Sequence, residues 1–187
     1  MNWLLLLSLA IASGLMMVIE SRGVRTTLRL SFKGDVKRET AFLAQWGQSV
    51  ASPLAALVVA QLDPPNRRAA LIMLGGVFGA SLICFIIKRL TGRVRPNREG
   101  AGTFLGPSFR HDSQRESFPS SHSACAIALS AFLAHLYPAA AVTFWGLGLA
   151  TAILRYLLDA HFPSDVLGGV AIGYVTAFCA VRFAGLA

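Results

Sequence analysis

The chain has 187 residues, 55% of them hydrophobic and 14% charged, with a mean hydropathy of +0.59; soluble domains carry about 45–50% apolar and about 25% charged residues. That composition excludes an ordinary soluble domain and points to a membrane protein. Seventeen Lys and Arg against nine Asp and Glu give a net charge of +8, and because the basic residues lie between apolar spans they suit acidic headgroups or a phosphate-bearing substrate rather than nucleic acid.

A bilayer core of about 30 Å needs about 20 mainly apolar residues per helix. Six stretches qualify: Trp3–Ile19, Ala41–Leu62, Ala69–Ile87, Ser123–Tyr137, Ala139–Leu158 and Val166–Phe183. The expected fold is therefore all-α, a six-transmembrane-helix bundle forming one integral-membrane domain over residues 1–187. Ala10-Ile11-Ala12 before Ser13 imitates a signal-peptidase site, but Met1-Asn2-Trp3 carries no positive charge and the apolar run continues through Ile19, which favours an uncleaved helix. Asp63-Pro64-Pro65-Asn66 and Tyr137-Pro138 mark tight turns. Small residues at helical spacing predict close helix contacts at Gly75 and Gly79, at Gly146 and Ala150, and at Gly169 and Gly173. Between the first two spans, Arg22, Arg25, Arg29, Lys33, Lys37 and Arg38 alternate with apolar residues, as in an interfacial helix or a solvated loop. Cys84, Cys125 and Cys179 lie inside apolar runs, with no spacing suited to a metal.

Six spans place both chain ends on one face, and on the other the segments 20–40, 88–122 and 159–165. Fourteen of the 17 basic residues fall on that second face or at its helix ends, with eight of the nine acids. The ionisable chemistry is one-sided.

Three segments carry it. The third span ends in KRLTGRVRP, with Lys88 and Arg95; the fourth opens with PSSH, Pro119 to His122; RYLLDAHFPSD joins the fifth and sixth, with Arg155, His161 and Asp165. Alternating helix directions bring all three to one face. Lys88, Arg95 and Arg155 suit a phosphoryl group, arginine by donating two N–H bonds at once. Ser120 and the backbone N–H groups of Ser121 and His122, near a helix start, add anion-binding donors. Asp165 could reach one ring nitrogen of His161, leaving the other free to attack phosphorus, while His122 is placed to protonate the leaving oxygen. Each residue also has a plainer use: Arg155 could pair with Asp159, Ser120 could be only an N-cap, and Asp165 could merely answer a helix dipole. His111 and His135 receive no role.

These three segments resemble the signature motifs of the type 2 phosphatidic acid phosphatase superfamily, K-x6-R-P, P-S-G-H and S-R-x5-H-x3-D. The resemblance implies that Lys88, Arg95, Ser120, Arg155 and the backbone at Ser121 bind phosphate. It implies that His161 is a nucleophile forming a phosphohistidine, that His122 is the general acid and that Asp165 is the partner of His161. Ser121 stands where the family has glycine, and Leu154 where it has serine, so any hydrogen bond from that serine is lost. The family also includes soluble vanadium haloperoxidases, but a chain of membrane helices points to a lipid phosphatase. The implied activity is hydrolysis of a lipid phosphate or diphosphate without metal or other cofactor. A lipid phosphotransferase, or a non-catalytic transporter of anions or lipid phosphates, is the alternative, and the His161–Asp165 pair is what a carrier would not need. The implied partners are the lipid substrate and the bilayer. Sidedness divides the two lines of reasoning: the basic face reads as cytoplasmic by the positive-inside rule, whereas resemblance to bacterial members implies an inner-membrane protein with an extracytoplasmic site, the placement adopted here.

Overall fold

The computed structural model of the chain describes residues 2–48, 50–108, 110 and 112–186; His111 lies outside them. Among these residues all regular structure is helical: α1 (Trp3–Ser21), α2 (Gly34–Leu43), α3 (Ala51–Leu62), α4 (Arg67–Thr91), α5 (Ser121–Leu136), α6 (Ala141–Leu157) and α7 (Pro163–Ala184). With the 3-10 turns that lead into α4 and α6, four helices are long and apolar enough to cross a membrane, namely α1, α4, α6 and α7. The other two expected spans come out shorter. α3 has 12 residues and α5 has 16, roughly 18 and 24 Å of helix.

The span predicted over 41–62 is broken: α2 stops at Leu43 and α3 starts at Ala51. Gly47 holds a left-handed φ of 83° in the break. A Cβ there would stand 2.5 Å from the backbone nitrogen of Ala126, so the chain can press on α5 only because this residue is glycine. Protein groups take up polar atoms of this break. Thr151 Oγ1 donates to the Leu43 carbonyl at 2.9 Å, Ser52 Oγ to the Gly47 carbonyl at 2.7 Å, and Trp46 Nε1 to Ser130 Oγ at 2.8 Å. The basic segment ahead of the break is part loop and part helix. Leu30 N–H bonds the Leu157 carbonyl at the end of α6, and α2 follows with none of its residues buried.

α5 is the hub, packed against α4, α6 and α7, while α1 packs on α7 and α3 on α4. Eleven of its 16 residues are buried, most of them Ala or Ser. Such small side chains let neighbouring backbones approach, which is how helices gain contact in lipid. The expected pair Gly169 and Gly173 does this, since a Cβ on either would collide with the Ser120 or Ala124 carbonyl of the α5 start. The other two expectations need correcting. A methyl group at Gly75, Gly79 or Gly146 would meet no neighbour among the described residues, and the close approaches are made by Gly76 to Ala180 and by Gly148 to Ser130. A shift of one residue turns a helix by about 100°, and the spacing alone did not tell which face met a neighbour. Outward faces remain apolar, as at Leu4, Leu71, Phe78 and Val142.

Candidate active site

The site is built where α4 ends, α5 begins and α6 turns into α7. Gly92, at φ 57°, terminates α4 in the left-handed conformation helices use to stop, and the chain continues at once into Arg93 and Arg95. Ser120 caps α5 with its side chain, and Pro163 opens α7 at a first-turn position that needs no N–H donor. The Ser120 N–H donates to the Asp165 carbonyl at 2.9 Å, and Arg95 Nη1 to the Ala160 carbonyl at 3.2 Å, so the three segments are stitched directly to one another.

Asp165 is the most tightly held of the expected residues. It is 0% exposed. One oxygen accepts from Arg93 Nη1 at 2.6 Å; the other accepts from Ser117 Oγ at 2.5 Å and from the Phe162 N–H at 2.9 Å. That second oxygen lies 3.6 Å from His161 Nδ1. At this distance the two are in contact but not hydrogen-bonded, and Nδ1 has no other protein partner among the described residues. The direct bond expected between Asp165 and His161 is therefore open by about half an ångström. Ordinary burial dominates the ring's titration. It pushes His161 down to about 4, against the raising effect of Asp165 and with Lys88 and Arg95 lowering it further. The imidazole is thus neutral at pH 7, with Nε2 as the ring nitrogen remote from Asp165.

His122, in the first turn of α5, lies close enough to feel the charges of Arg155, His161, Lys88 and Arg95. Lys88 is 9% exposed at the end of α4. Arg155 lies in the last turn of α6; among the described residues its Nε has no hydrogen-bond partner and it makes no ion pair with Asp159. Arg95 is anchored through Nε to the Ser113 carbonyl at 2.8 Å, and burial holds its guanidinium below the ordinary arginine range. Ser120 is both a cap and a candidate ligand. Its oxygen accepts from the Ser123 N–H and hydroxyl, which leaves its own proton free to donate. The Ser121 and His122 N–H groups belong to the first turn, where no helical carbonyl can take them. Leu154, in place of the family's serine, is buried on α6. His135, at the far end of α5, lies 2.6 Å from the Leu186 carbonyl, away from this cluster.

Four residues that build the site were not singled out from the sequence. Arg93 stands inside the first motif between Lys88 and Arg95, and Ser117 is two residues ahead of Pro119. Glu20 ends α1, and its carboxylate meets Arg93 Nη2 at 2.8 Å and the hydroxyl of Ser164, which follows Pro163. The available signals were weak: a third arginine in KRLTGRVRP, and an acid closing an otherwise uncharged helix. Among the described residues no group of three or more His, Cys, Asp or Glu could hold a metal ion.

The arrangement has relatives. Over 95 residues the chain is 37% identical to a lipid A 1-phosphatase of Rhizobium johnstonii, covering 50% of this chain and 39% of that protein. Over 121 residues it is 38% identical to a decaprenylphosphoryl-5-phosphoribose phosphatase of Mycobacterium tuberculosis, covering 63% of each. The alignments thus span well under half of the first relative's length and under two thirds of the second's. A crystal structure described as the first transmembrane PAP2 type phosphatidylglycerolphosphate phosphatase from Bacillus subtilis superposes with a TM-score of 0.67 at 22% identity, over 97% of this chain and 92% of the other; the shared property is the fold. Four apolar helices of crossing length and a fold shared with a transmembrane protein make this an integral membrane protein. The model of the PAP2 superfamily matches residues 69–186, from α4 through α7 and every motif of the site, and the chain belongs to that superfamily.

Proposed function

We propose that this protein is a lipid phosphate phosphatase working through a phosphohistidine, with water as the acceptor. The observation that carries the reading is the convergence of a buried, neutral His161, backed by the ionised Asp165 network, with Lys88, Arg95, Arg155 and His122. The relatives named for activity on lipid A and on a decaprenyl phosphosugar favour a phosphomonoester on a membrane lipid.

In this mechanism Lys88, Arg95 and Arg155 hold the phosphoryl oxygens and neutralise the charge that spreads over them in the transition state, with Ser120 and the first-turn N–H groups of α5 completing the cradle. Nε2 of His161 attacks phosphorus while the bond to the lipid oxygen breaks. His122 gives its proton to that oxygen, releasing the lipid alcohol. Asp165 closes onto Nδ1–H as the ring becomes cationic. Water then attacks phosphorus as the bond from phosphorus to Nε2 breaks, His122 takes the proton that water gives up, and inorganic phosphate leaves with His161 restored. No step requires a metal, since the three cations supply the charge a metal would bring.

The chain is read as one domain crossing the membrane six times, with the break between α2 and α3 inside the second span and the short α5 enclosed by its neighbours. The site is assigned to the extracytoplasmic face of a bacterial inner membrane. The test is phosphate release by the purified protein from a panel containing phosphatidic acid, phosphatidylglycerol phosphate, undecaprenyl diphosphate and lipid A. Turnover of at least one of these, abolished by His161→Ala, is the expected result. Transport of a labelled lipid phosphate without hydrolysis would establish the carrier alternative instead.

A further inference from the structure

We propose that Arg93 and Glu20 are positioning residues of the active site: they hold Asp165 behind His161, and through Glu20 they make the first helix part of the catalytic apparatus. The inference rests on the phosphatase reading above for its consequence in turnover, but its structural content stands on geometry alone.

The side chains of Arg93, Glu20 and Asp165 are 1%, 2% and 0% exposed. Buried charges are costly unless paired and hydrogen-bonded, and these three pair with one another, with Arg93 Nε alone lacking a partner among the described residues. The guanidinium lies over the ring of Phe162 at 4.3 Å and that of Phe104 at 5.3 Å, which fixes its plane. Within that plane Nη1 donates to Asp165 at 2.6 Å and to Ser164 Oγ at 2.7 Å, while Nη2 donates to Glu20 at 2.8 Å. Glu20 also accepts from the Ser164 N–H at 3.2 Å, so a carboxylate of α1 sits at the positive end of α7. The consequence falls on Asp165. With one oxygen held by Arg93, the other is left facing Ser117, Phe162 N–H and Nδ1 of His161. A lysine could supply the charge but not the fork.

The family match begins at residue 69 and so does not include α1. α1 nonetheless delivers the only acid seen on Arg93 besides Asp165 among the described residues, and Ser13 Oγ ties the same helix to the Ser164 carbonyl at 2.8 Å.

The alternative is that the pair only fastens α1 to the bundle. The charges separate the two ideas. Around His161 stand Asp165 on α7, Lys88 on α4, Arg95 in the following loop and His122 on α5, with Arg155 of α6 beside His122 and with Arg93 and Glu20 behind Asp165. Glu20, Arg93 and Asp165 together carry a net charge of −1, as Asp165 would alone. Arg93→Gln should therefore make the His161–Asp165 pair take up its proton at higher pH, and Glu20→Gln at lower pH. Each shift should be on the order of one pH unit, the effect of one charge at second-neighbour distance in a medium of effective dielectric about 20. The double variant should return close to the wild-type titration. Only folded protein reports, so partial misfolding does not imitate opposite shifts that cancel.

The experiment follows the His161 imidazole by 15N NMR in purified protein in detergent micelles, with the His161 resonance assigned from its loss in His161→Gln. Turnover of dioctanoyl phosphatidic acid is measured in parallel. Expected are opposite shifts in the single variants, cancellation in the double variant, and a fall in turnover of at least about tenfold in each single variant and in Arg93→Lys. Titrations that coincide in all forms would overturn the proposal. Shifted titrations with no phosphate release from wild-type protein would uphold the pairing and remove the phosphatase reading instead.

Discussion

Asp165 lies 2.6 Å from Arg93 but 3.6 Å from Nδ1 of His161. The carboxylate is anchored first to its structural partner and only then available to the histidine. In the mechanism proposed above, the second gap closes when the imidazole becomes cationic on attacking phosphorus. Asp165→Asn should keep the volume and lose that stabilisation, lowering kcat by roughly 10²–10⁴-fold, the range seen when an oriented carboxylate behind a catalytic histidine is neutralised. Initial rates on a lipid phosphate check this, and a rise in KM with kcat unchanged would assign Asp165 to binding.

The two histidines should separate by leaving group. In the proposed mechanism His161 attacks every substrate, so His161→Ala should abolish turnover whatever departs. There His122 only protonates the departing oxygen, help worth about 10²–10⁴-fold for an alkoxide and less for an acidic phenol. His122→Ala should therefore cripple hydrolysis of an alkyl phosphate lipid and recover much of the loss on nitrophenyl phosphate. Acid-labile phosphohistidine should be trapped in His122→Ala and absent from His161→Ala; the reverse pattern would exchange the roles.

Much of this site was legible in the chain because its residues sit at helix ends, where alternation of direction alone brings Lys88, His122, Arg155 and His161 to one face. Glu20 was not, since its partner Arg93 is 73 residues away and only tertiary packing joins them. Arg93 itself reads as one more interfacial cation. The break in the second span was hidden for a different reason. Residues 41–62 keep a high mean hydropathy although Gln45, Gln48 and Ser52 interrupt them, so averaging over a span hides a turn where Ser130 and Thr151 on other helices take polar groups. Gly47 was the local sign of it.

The proposed mechanism gives the charge stabilisation to Lys88, Arg95 and Arg155, and no metal-binding cluster occurs among the described residues. Activity should survive EDTA undiminished, and vanadate should inhibit by adopting the five-coordinate geometry of phosphoryl transfer. Phosphate release assayed with and without chelator decides it; loss in EDTA restored by magnesium would count against the cationic clamp as the whole source of charge stabilisation.

Orientation follows from a single accessible position. Glu99 is exposed in the loop that leads from Arg95 towards α5. In a variant lacking Cys84, Cys125 and Cys179, Glu99→Cys should be labelled by an impermeant maleimide in intact cells, and a reporter fused after the last residue should read cytoplasmic. Labelling only after permeabilisation would place the site inside, in agreement with the positive-inside rule.

Stability should carry the mark of His161 in its pH dependence. The ring is 1% exposed, and burial lowers it from 6.5 to about 4 in the folded protein. Above pH 6.5 neither state binds this proton and nothing is lost. As pH falls from 6.5 towards 4 the unfolded chain takes up a proton that the folded protein refuses, so folding stability declines across that window and the loss levels off below it. Replacing the ring by glutamine removes the titrating group while leaving a polar side chain. Thermal unfolding in detergent micelles should therefore show a Tm that falls from pH 6.5 to pH 4 in wild-type protein and falls less steeply in His161→Gln. Equal slopes in the two proteins would mean that the imidazole is solvated enough to charge in place, and its neutrality at the site would then need another cause than burial.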